Sequence, residues 1–340
     1  MKAMILAGGL STRLYPLTKL VPKPLVPLAG VPNAAHLLRY LRAYGFDEIA
    51  INLHYLADAI VAALGDGSQW DVRLHYSYEP ELLGSAGGVK KIEGFFGPEP
   101  FVVIGCDEVT DLRLDRLVDF HREREALATI GLVEREQVDQ YGVVVLDSSG
   151  KIVEFQEKPA PGTERSKLVN TGVYVFSSKI FEHIPDDEFY DFGKQVFPAL
   201  QLAGERFYGF DARGAYWADI GTPGEYRRAS YDVVRGVVRI PMTKPNGIDA
   251  SATIARSARI EGPVRIGAGV HVGEGVAIVG PTLLDDGVRV ETGARLERSI
   301  CWRGAAIGER AELRDTIVGN DYVVPAERAL DNELVAIEWV

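Results

Sequence analysis

Apolar blocks alternate with segments of helical periodicity along the first two-thirds of the chain. The first block, Ala3–Ala7, contains no turn residue and predicts a buried parallel strand. Pro32 and Gly45 fit the start and the end of a helix over Asn33–Tyr44. Further strands are predicted at Glu48–Leu53, Val72–Tyr78 and Phe101–Gly105, and further helices at Ala57–Leu64 and Leu114–Arg124. This alternation predicts an α/β fold with a mostly parallel, three-layer, Rossmann-like sheet, in which ligands bind beyond the carboxyl ends of the strands.

The pattern changes after Tyr141 to one that is typical of antiparallel strands. Tyr141–Leu146 and Lys151–Phe155 are separated by turn residues and predict a hairpin. A strand at Val173–Phe176 and helices near Asp191–Leu202 and Gly224–Val234 follow. We expect this middle region to form a substrate-facing subdomain laid over the first sheet.

An aliphatic residue recurs at every sixth position from Ile248 onwards. The series is Ile248, Ile254, Ile260, Ile266, Val272, Ile278, Leu284, Val290 and Leu296. A period of six belongs to neither a helix nor a plain strand, and it predicts a parallel β-helix whose coils stack aliphatic side chains inward. The register slips near Trp302 and is unclear by Val324, so we predict about three coils and roughly one more. Hexad β-helices of known families are left-handed, and we expect the same hand here.

Composition narrows the class of protein. The 340 residues are enough for two domains, and the hydrophobic (46%) and charged (25%) fractions are those of a globular protein. A net charge of −11 argues against binding to nucleic acid or to anionic membranes. The two cysteines, Cys106 and Cys301, form neither a disulfide framework nor a zinc pattern, which fits a reducing cytoplasm. The N-terminal apolar run is too short for a signal peptide, and no stretch has membrane-spanning length.

Candidate chemistry concentrates in the stretch that follows the first strand. Gly8 and Gly9 allow backbone amides to approach a ligand without a Cβ in the way. Arg13 comes next, and Lys23 is held between Pro22 and Pro24, which restrict the local backbone. Backbone amides and two fixed cations together predict a binding site for a polyphosphate, although neither a P-loop nor a dinucleotide-binding motif is present.

The whole string closely resembles the signature of sugar-nucleotide pyrophosphorylases, Gly-Gly-x-Gly-Thr-Arg-Leu-x-Pro-Leu-Thr followed by Pro-Lys-Pro. The resemblance continues through Leu83–Gly87, Glu157–Pro159, Asn170–Gly172, Trp217–Gly221 and the hexad repeats. It is strongest to the branch that includes mannose-1-phosphate guanylyltransferases. The resemblance implies a nucleotidyltransferase domain over 1–236. Residues 237–247 contain two prolines and a glycine and predict a linker, and the repeats predict a β-helix domain with a C-terminal tail over 248–340. Such enzymes join a nucleoside triphosphate to a sugar 1-phosphate and release pyrophosphate.

The resemblance also implies functions for the matched residues. Arg13 would hold the β- and γ-phosphates, Lys23 would neutralise charge near the α-phosphate, and Lys158 would hold the sugar phosphate, which makes these three the candidate catalytic residues. The implied nucleotide-binding residues are Leu6, Ala7, Gly8, Gly9, Ser11, Thr12, Arg13, Glu79, Gly84, Ser85 and Asp107. The implied sugar-binding residues are Gly142, Glu157, Lys158, Asn170 and Thr171. Asp107 and Asp219 would share a Mg²⁺, a cation that prefers carboxylate oxygens.

The nucleobase is predicted from Glu79, which lies in the loop that the resemblance places against the base. One carboxylate can accept hydrogen bonds from the two adjacent donors of guanine, so GTP is favoured. Thymidylyl or uridylyl transfer to glucose 1-phosphate is the alternative. A non-catalytic regulatory paralogue and a hexapeptide acyltransferase also stay open, although His271 is the single histidine in the repeats. Because the end coils of a β-helix leave backbone groups and apolar stripes uncovered, we expect a homo-oligomer.

Two positions depart from the family pattern. Ser11 stands where glycine is usual, which puts the shape of the glycine loop in question. Asp107 is preceded by Cys106 and followed by Glu108. Glu108 either adds a carboxylate beside the predicted metal site or points to solvent.

Overall fold

The computed structural model describes residues 1–239 and 245–337, and the chain divides into two compact units. Unit one comprises Met1–Leu10 and Leu37–Trp217; unit two comprises Ser11–His36 and the described part of Ala218–Val340. Residues 240–244 of the predicted linker and 338–340 of the predicted tail lie outside the described residues. The predicted domain boundaries stay predictions.

Unit one is built on one nine-stranded sheet. Its strands are Lys2–Leu6, Glu48–Leu53, Arg73–Tyr78, Phe101–Gly105, Ala128–Glu134, Gly142–Leu146, Ile152–Glu157, Leu168–Phe176 and Phe207–Asp211. Its α-helices are Ala57–Leu64, Gly84–Lys90, Glu93–Phe96, Leu114–Glu123 and Phe197–Leu202, together with most of Asn33–Ala43, whose first turn belongs to unit two. Phe197–Leu202 continues a short π-helix at Phe192–Val196. Short strands also occur at Glu108–Thr110 and Trp217–Asp219.

The predicted parallel strands are confirmed. Lys2–Leu6 pairs in parallel with both Glu48–Leu53 and Phe101–Gly105, and Glu48–Leu53 pairs in parallel with Arg73–Tyr78. Apolar side chains of Lys2–Leu6, Glu48–Leu53 and Phe101–Gly105 are buried on both faces, with Met4 and Ile5 both fully buried, whereas the edge strand Arg73–Tyr78 is largely exposed. The continuous apolar runs in the sequence follow from this burial on both faces.

The predicted hairpin forms, but it does not lie over the sheet as expected. Gly142–Leu146 and Ile152–Glu157 pair antiparallel, and Val143 then pairs with Val169 of the long strand Leu168–Phe176. That strand also pairs antiparallel with Phe101–Gly105, so the middle region extends the first sheet at its edge. Pairing between strands this far apart in sequence leaves no local signal, which explains why periodicity placed this region wrongly.

Unit two contains the repeats, whose strands form three parallel sheets of six, five and five strands, consistent with a β-helix. The strands are Gly247–Ile248, Thr253–Ile254, Arg259–Glu261, Val264–Ile266, His271–Val272, Ala277–Val279, Thr282–Leu284, Arg289–Val290, Arg295–Glu297, Ile300–Cys301, Ala306–Ile307, Glu312–Arg314, Ile317–Val318, Val323–Val324, Ala329–Asp331 and Leu334–Val335. The described part of the β-helix thus extends to Val335, beyond the predicted three to four coils.

A change in coil length explains why the six-residue count missed the later coils. Early coils repeat every 18 residues, as in the pairing of Gly247 with Arg265. Later coils repeat every 17 residues, as in the pairing of Ile300 with Ile317. The register slip predicted near Trp302 is therefore a corner one residue shorter, between Glu297 and Ile300. A strict six-residue count loses the pattern at this corner although the inward positions stay aliphatic or small.

The helix Pro223–Arg235 packs on the strands of unit two. Thr222 caps its N-terminus by accepting a hydrogen bond from Glu225 N, and Gly236 ends it with a left-handed backbone. Trp302 Nε1 donates to Tyr226 Oη at 2.8 Å, with the two rings edge to face. No helix in residues 1–239 and 245–337 is long and apolar enough to cross a membrane.

Candidate active site

Three predicted functional side chains of unit two converge on one glycine, Gly221. Lys23 Nζ lies 3.9 Å from Asp219 Oδ1, and Gly221 N donates to the same oxygen at 2.6 Å. A Cβ placed on Gly221 would lie 2.8 Å from Arg13 Nη2 and 3.1 Å from Lys23 Nζ. Two cations and one carboxylate therefore crowd the space that a Cβ on Gly221 would occupy.

Local backbone structure holds the two cations in place. Arg13 lies in the short 3₁₀ turn Thr12–Leu14, and Lys23 begins the turn Lys23–Leu25 after an extended Pro22. The Lys23 side chain is only 12% exposed. This backbone geometry agrees with the expectation that Pro22 and Pro24 restrict the chain on both sides of Lys23.

Ser11 takes the left-handed conformation that a glycine would adopt easily, with φ 55° and ψ 37°. Thr18 Oγ1 donates to Ser11 O at 2.8 Å, and Leu14 N donates to the same oxygen at 3.2 Å. The left-handed region costs a non-glycine residue on the order of 1 kcal/mol, which these hydrogen bonds can offset. The departure from the family pattern at Ser11 is thus accommodated by the loop.

The glycine loop of unit one is held by a chain of buried hydrogen bonds. Ala7 N donates to Asn52 Oδ1 at 2.7 Å, and Asn52 Nδ2 donates to Glu79 Oε1 at 2.8 Å. Leu83 N donates to Glu79 Oε2 at 3.1 Å, and the Glu79 residue is only 2% exposed. A Cβ on Gly8 would lie 2.9 Å from Asn52 Nδ2, so the loop lies directly against this chain.

Both oxygens of Glu79 thus accept hydrogen bonds from the protein itself. The predicted guanine contact stays a prediction, and the structure adds a positioning function for this carboxylate. Sequence reasoning missed Asn52; its signal was a polar residue inside the apolar strand Glu48–Leu53.

We expect Glu79→Gln to lower the free energy of unfolding by about 2 kcal/mol, because an amide nitrogen would face a donor in a buried site. Urea denaturation measures this change. Glu81→Gln, an exposed position in the same loop, is the matched control and should change stability by less than about 0.5 kcal/mol. Equal stability of the two variants would contradict the assigned function of Glu79.

The start of the helix Gly84–Lys90 is fixed by Ser85 and Asp191. Ser85 Oγ donates to Asp191 Oδ2 at 2.9 Å and accepts from Phe192 N at 2.9 Å. Asp191 Oδ1 in turn accepts from Gly193 N and Lys194 N. The structure therefore gives Ser85 a structural contact in addition to its predicted contact with the nucleotide.

The predicted sugar-binding residues of unit one fall into two groups. Around Glu157, a Cβ on Gly142 would lie 3.2 Å from Glu157 Oε2, and Lys158 Nζ lies 4.0 Å from Glu157 Oε1. The pKa of the Glu157 carboxyl is raised above its ordinary value, because the effect of burial is larger than the opposing effect of the adjacent Lys158. Asn170 and Thr171 form the second group, at a turn within the strand Leu168–Phe176.

The two carboxylates predicted to bind metal are both half-buried, Asp107 in unit one and Asp219 in unit two. Carboxylate oxygens are the ligands that Mg²⁺ prefers, so both side chains fit the predicted ion chemically. Within residues 1–239 and 245–337, no group of three or more His, Cys, Asp or Glu side chains could hold a metal ion.

Comparison with known proteins places the chain in a family. A family model described as Nucleotidyl transferase matches residues 2–236, and one described as GMPPB C-terminal domain matches residues 242–338. The chain belongs to the nucleotidyl transferase family. The predicted resemblance and the predicted fold class are confirmed.

Curated relatives span nearly the whole chain. A UTP–glucose-1-phosphate uridylyltransferase of Synechocystis sp. is 37% identical and covers 100% of this chain and 93% of its own length. A mannose-1-phosphate guanylyltransferase of Mycobacterium tuberculosis is 35% identical, with 87% of this chain and 83% of its own length covered. The crystal structure of HddC from Yersinia pseudotuberculosis superposes with a TM-score of 0.59 at 30% identity, over 67% of this chain and 97% of that chain.

Proposed function

We propose that this member of the nucleotidyl transferase family is a sugar-1-phosphate nucleotidyltransferase. An oxygen of the sugar phosphate attacks the α-phosphorus of a nucleoside triphosphate, the bond from that phosphorus to the bridging oxygen breaks, and pyrophosphate leaves. The observation that carries the proposal is the convergence of Arg13, Lys23 and Asp219 around Gly221. The names of the relatives support it.

The proposed functions of the side chains follow from charge. Attack by an anionic sugar phosphate on an anionic triphosphate requires positive charge at both. We assign the leaving pyrophosphate to Arg13, the α-phosphate to Lys23 and the sugar phosphate to Lys158. A bound Mg²⁺ would offset further phosphate charge, and we assign its protein ligands to Asp107 and Asp219.

For the substrates, we propose GTP and mannose 1-phosphate. Support comes from the guanylyltransferase relatives and from the C-terminal family model. The burial of Glu79 weakens the argument from guanine alone. UTP with glucose 1-phosphate is the second candidate, because the Synechocystis uridylyltransferase is 37% identical over the whole chain.

A panel of nucleoside triphosphates and sugar 1-phosphates tests both the proposed reaction and the proposed pair of substrates. ATP, GTP, UTP and dTTP are each combined with glucose 1-phosphate or mannose 1-phosphate and MgCl₂, and pyrophosphate release is measured. We expect the highest kcat/KM for GTP with mannose 1-phosphate. A maximum for UTP with glucose 1-phosphate would support the second candidate. Lack of release with every pair would favour a regulatory paralogue.

We also propose that the protein forms a homo-oligomer through its β-helix. The first coil leaves Ile248 51% exposed and Ile254 half-buried, whereas inward residues of the middle coils are almost completely buried. Sedimentation velocity of the full chain should therefore give more than the monomer mass, and Ile248→Asp should weaken the assembly. Leu202→Asp, at an exposed position in unit one, is the control and should leave assembly unchanged. A monomeric wild-type chain at micromolar concentration would contradict this proposal.

For its location we propose the cytoplasm, which fits the low cysteine content of two in 340 residues.

A further inference from the structure

Glu108 does not point to solvent. It follows Asp107 directly in the chain, yet the residue is only 6% exposed. Its Oε2 accepts a 2.6 Å hydrogen bond from the indole nitrogen of Trp217, which is 4% exposed. A buried carboxylate needs such a donor, because an unpaired charge in the protein interior is strongly unfavourable.

The same indole nitrogen connects Glu108 to the predicted sugar-binding turn. Trp217 Nε1 also lies 2.8 Å from Thr171 O, so one N–H is shared between the carboxylate and this backbone carbonyl. Gly172 has a φ of +71°, and a Cβ at that position would collide with Glu108 Oε1. Glu108 and Trp217 therefore hold the turn Asn170–Gly172 from one side.

This turn needs side-chain support because the strand ladder is interrupted there. Pairing of Leu168–Phe176 with Ala128–Glu134 shifts register between Asn170 and Tyr174. The residues of a bulge lack the regular ladder hydrogen bonds that fix a strand. Asn170 itself spans the bulge, since its Oδ1 accepts from Gly172 N and its Nδ2 donates to Tyr174 Oη at 3.0 Å.

Trp217 is fixed from its other faces as well. The guanidinium of Arg135 lies over the indole ring, 5.1 Å from the centroid, and Arg135 donates to Trp217 O. The ring of Tyr141, the residue before the predicted sugar-binding Gly142, packs edge to face against the indole at 5.1 Å. A displacement of the indole would therefore reach both predicted sugar-binding segments.

We propose that Glu108 is a positioning residue for the sugar substrate: through the Trp217 indole it fixes the bulge at Asn170–Gly172 and so sets the affinity for the sugar 1-phosphate. This inference rests on the proposed nucleotidyltransferase function. Glu108 touches no reacting atom in this account and acts through Trp217.

The test compares kinetic constants of Glu108→Ala and Glu108→Gln, measured by pyrophosphate release. In Glu108→Ala the indole keeps Thr171 O but loses its carboxylate acceptor, and we expect KM for the sugar 1-phosphate to rise about tenfold, the effect of one lost hydrogen bond. KM for the nucleoside triphosphate and kcat should change less than about threefold. In Glu108→Gln the amide oxygen still accepts from the indole, so we expect KM for the sugar 1-phosphate to stay within about threefold of wild type.

Trp217→Phe removes the indole donor and provides a second route to the same result. The double variant Glu108→Ala with Trp217→Phe should raise KM for the sugar 1-phosphate by less than the product of the two single effects, because both substitutions break the same hydrogen bond. Glu123→Ala, at an exposed position, is the control and should behave as wild type. If Glu108→Ala does not fold, Trp217→Phe replaces it in the test. Its KM for the sugar 1-phosphate should rise, while its KM for the nucleoside triphosphate should change less than about threefold.

Two results would overturn the inference. One is an unchanged KM for the sugar 1-phosphate in both Glu108→Ala and Trp217→Phe while the wild type is active. The other is a fall in kcat, with a higher Mg²⁺ requirement, in both Glu108→Gln and Glu108→Ala, because that pattern belongs to a metal ligand. Lack of pyrophosphate release by the wild type would instead refute the proposed function itself.

Discussion

Replacing Asp219 by Asn is expected to lower kcat by about a hundredfold or more while the fold stays intact. Asn keeps the size of the side chain, and its oxygen can still accept from Gly221 N as Asp219 Oδ1 does at 2.6 Å. What the substitution removes is the negative charge that faces Lys23 at 3.9 Å and that we assign to Mg²⁺. The effect should therefore appear in turnover and not in stability.

Asp107→Asn should have a similar effect, since we assign Asp107 to the same ion. Steady-state pyrophosphate release at saturating substrates measures kcat, and raised MgCl₂ should recover a small part of the lost rate. Asp115→Asn is a matched control on the surface, where the carboxylate pairs with Arg113 far from the glycine loop in sequence. Wild-type kcat in both Asp219→Asn and Asp107→Asn, or full activity of the wild type in excess chelator, would contradict the metal assignment.

Periodicity predicted those parts of the fold in which burial repeats along the chain. The parallel strands Lys2–Leu6, Glu48–Leu53 and Phe101–Gly105 are buried on both faces, so an apolar run marks each of them, whereas the edge strand Arg73–Tyr78 is marked by alternation. The inward aliphatic residues of the β-helix mark its coils in the same way. Each signal is local, because it depends on which side of one segment faces the core.

Periodicity could not predict contacts between distant segments. Phe207–Asp211 joins the sheet by parallel pairing with Ala128–Glu134, and no feature of either segment specifies that partner. The shorter corner between Glu297 and Ile300 changes the coil length without changing the inward residues, so a count of six loses the register.

The candidate site was likewise predicted in part, since the sequence located residues but not the directions of their side chains. Resemblance to the family located Arg13, Lys23 and Asp219, and the structure brings them together around Gly221. Side-chain direction was not available from sequence. Glu79 and Glu108 lie in segments read as loops or strand ends, where carboxylates are usually solvated, yet both are buried and hydrogen-bonded.

Gly221→Ala is expected to lower kcat/KM by about a hundredfold with little loss of stability. The new Cβ would lie 2.6 Å from Asp219 Oδ1 and 2.8 Å from Arg13 Nη2, closer than non-bonded atoms approach one another. The ends of the long Arg13 and Lys23 side chains can move away at small cost, so the strain is confined to the short Asp219 side chain and its hydrogen bond to Gly221 N, and the fold should survive. The same movement separates the charges, and a displacement of about 1 Å at reacting groups can reduce a rate about a hundredfold.

Gly224→Ala is the matched control for this substitution. It lies three positions further along the same segment, at the exposed start of the helix Pro223–Arg235, and a Cβ there would meet no atom within 4 Å. Because alanine favours a helix more than glycine does, its free energy of unfolding should be unchanged or higher by up to about 1 kcal/mol, with wild-type kinetics. Urea denaturation and pyrophosphate release are measured for both variants. Wild-type kcat/KM in Gly221→Ala would show that the convergence of Arg13, Lys23 and Asp219 is not where transfer is catalysed, whereas a loss confined to Gly221→Ala ties the rate to the spacing of these charges.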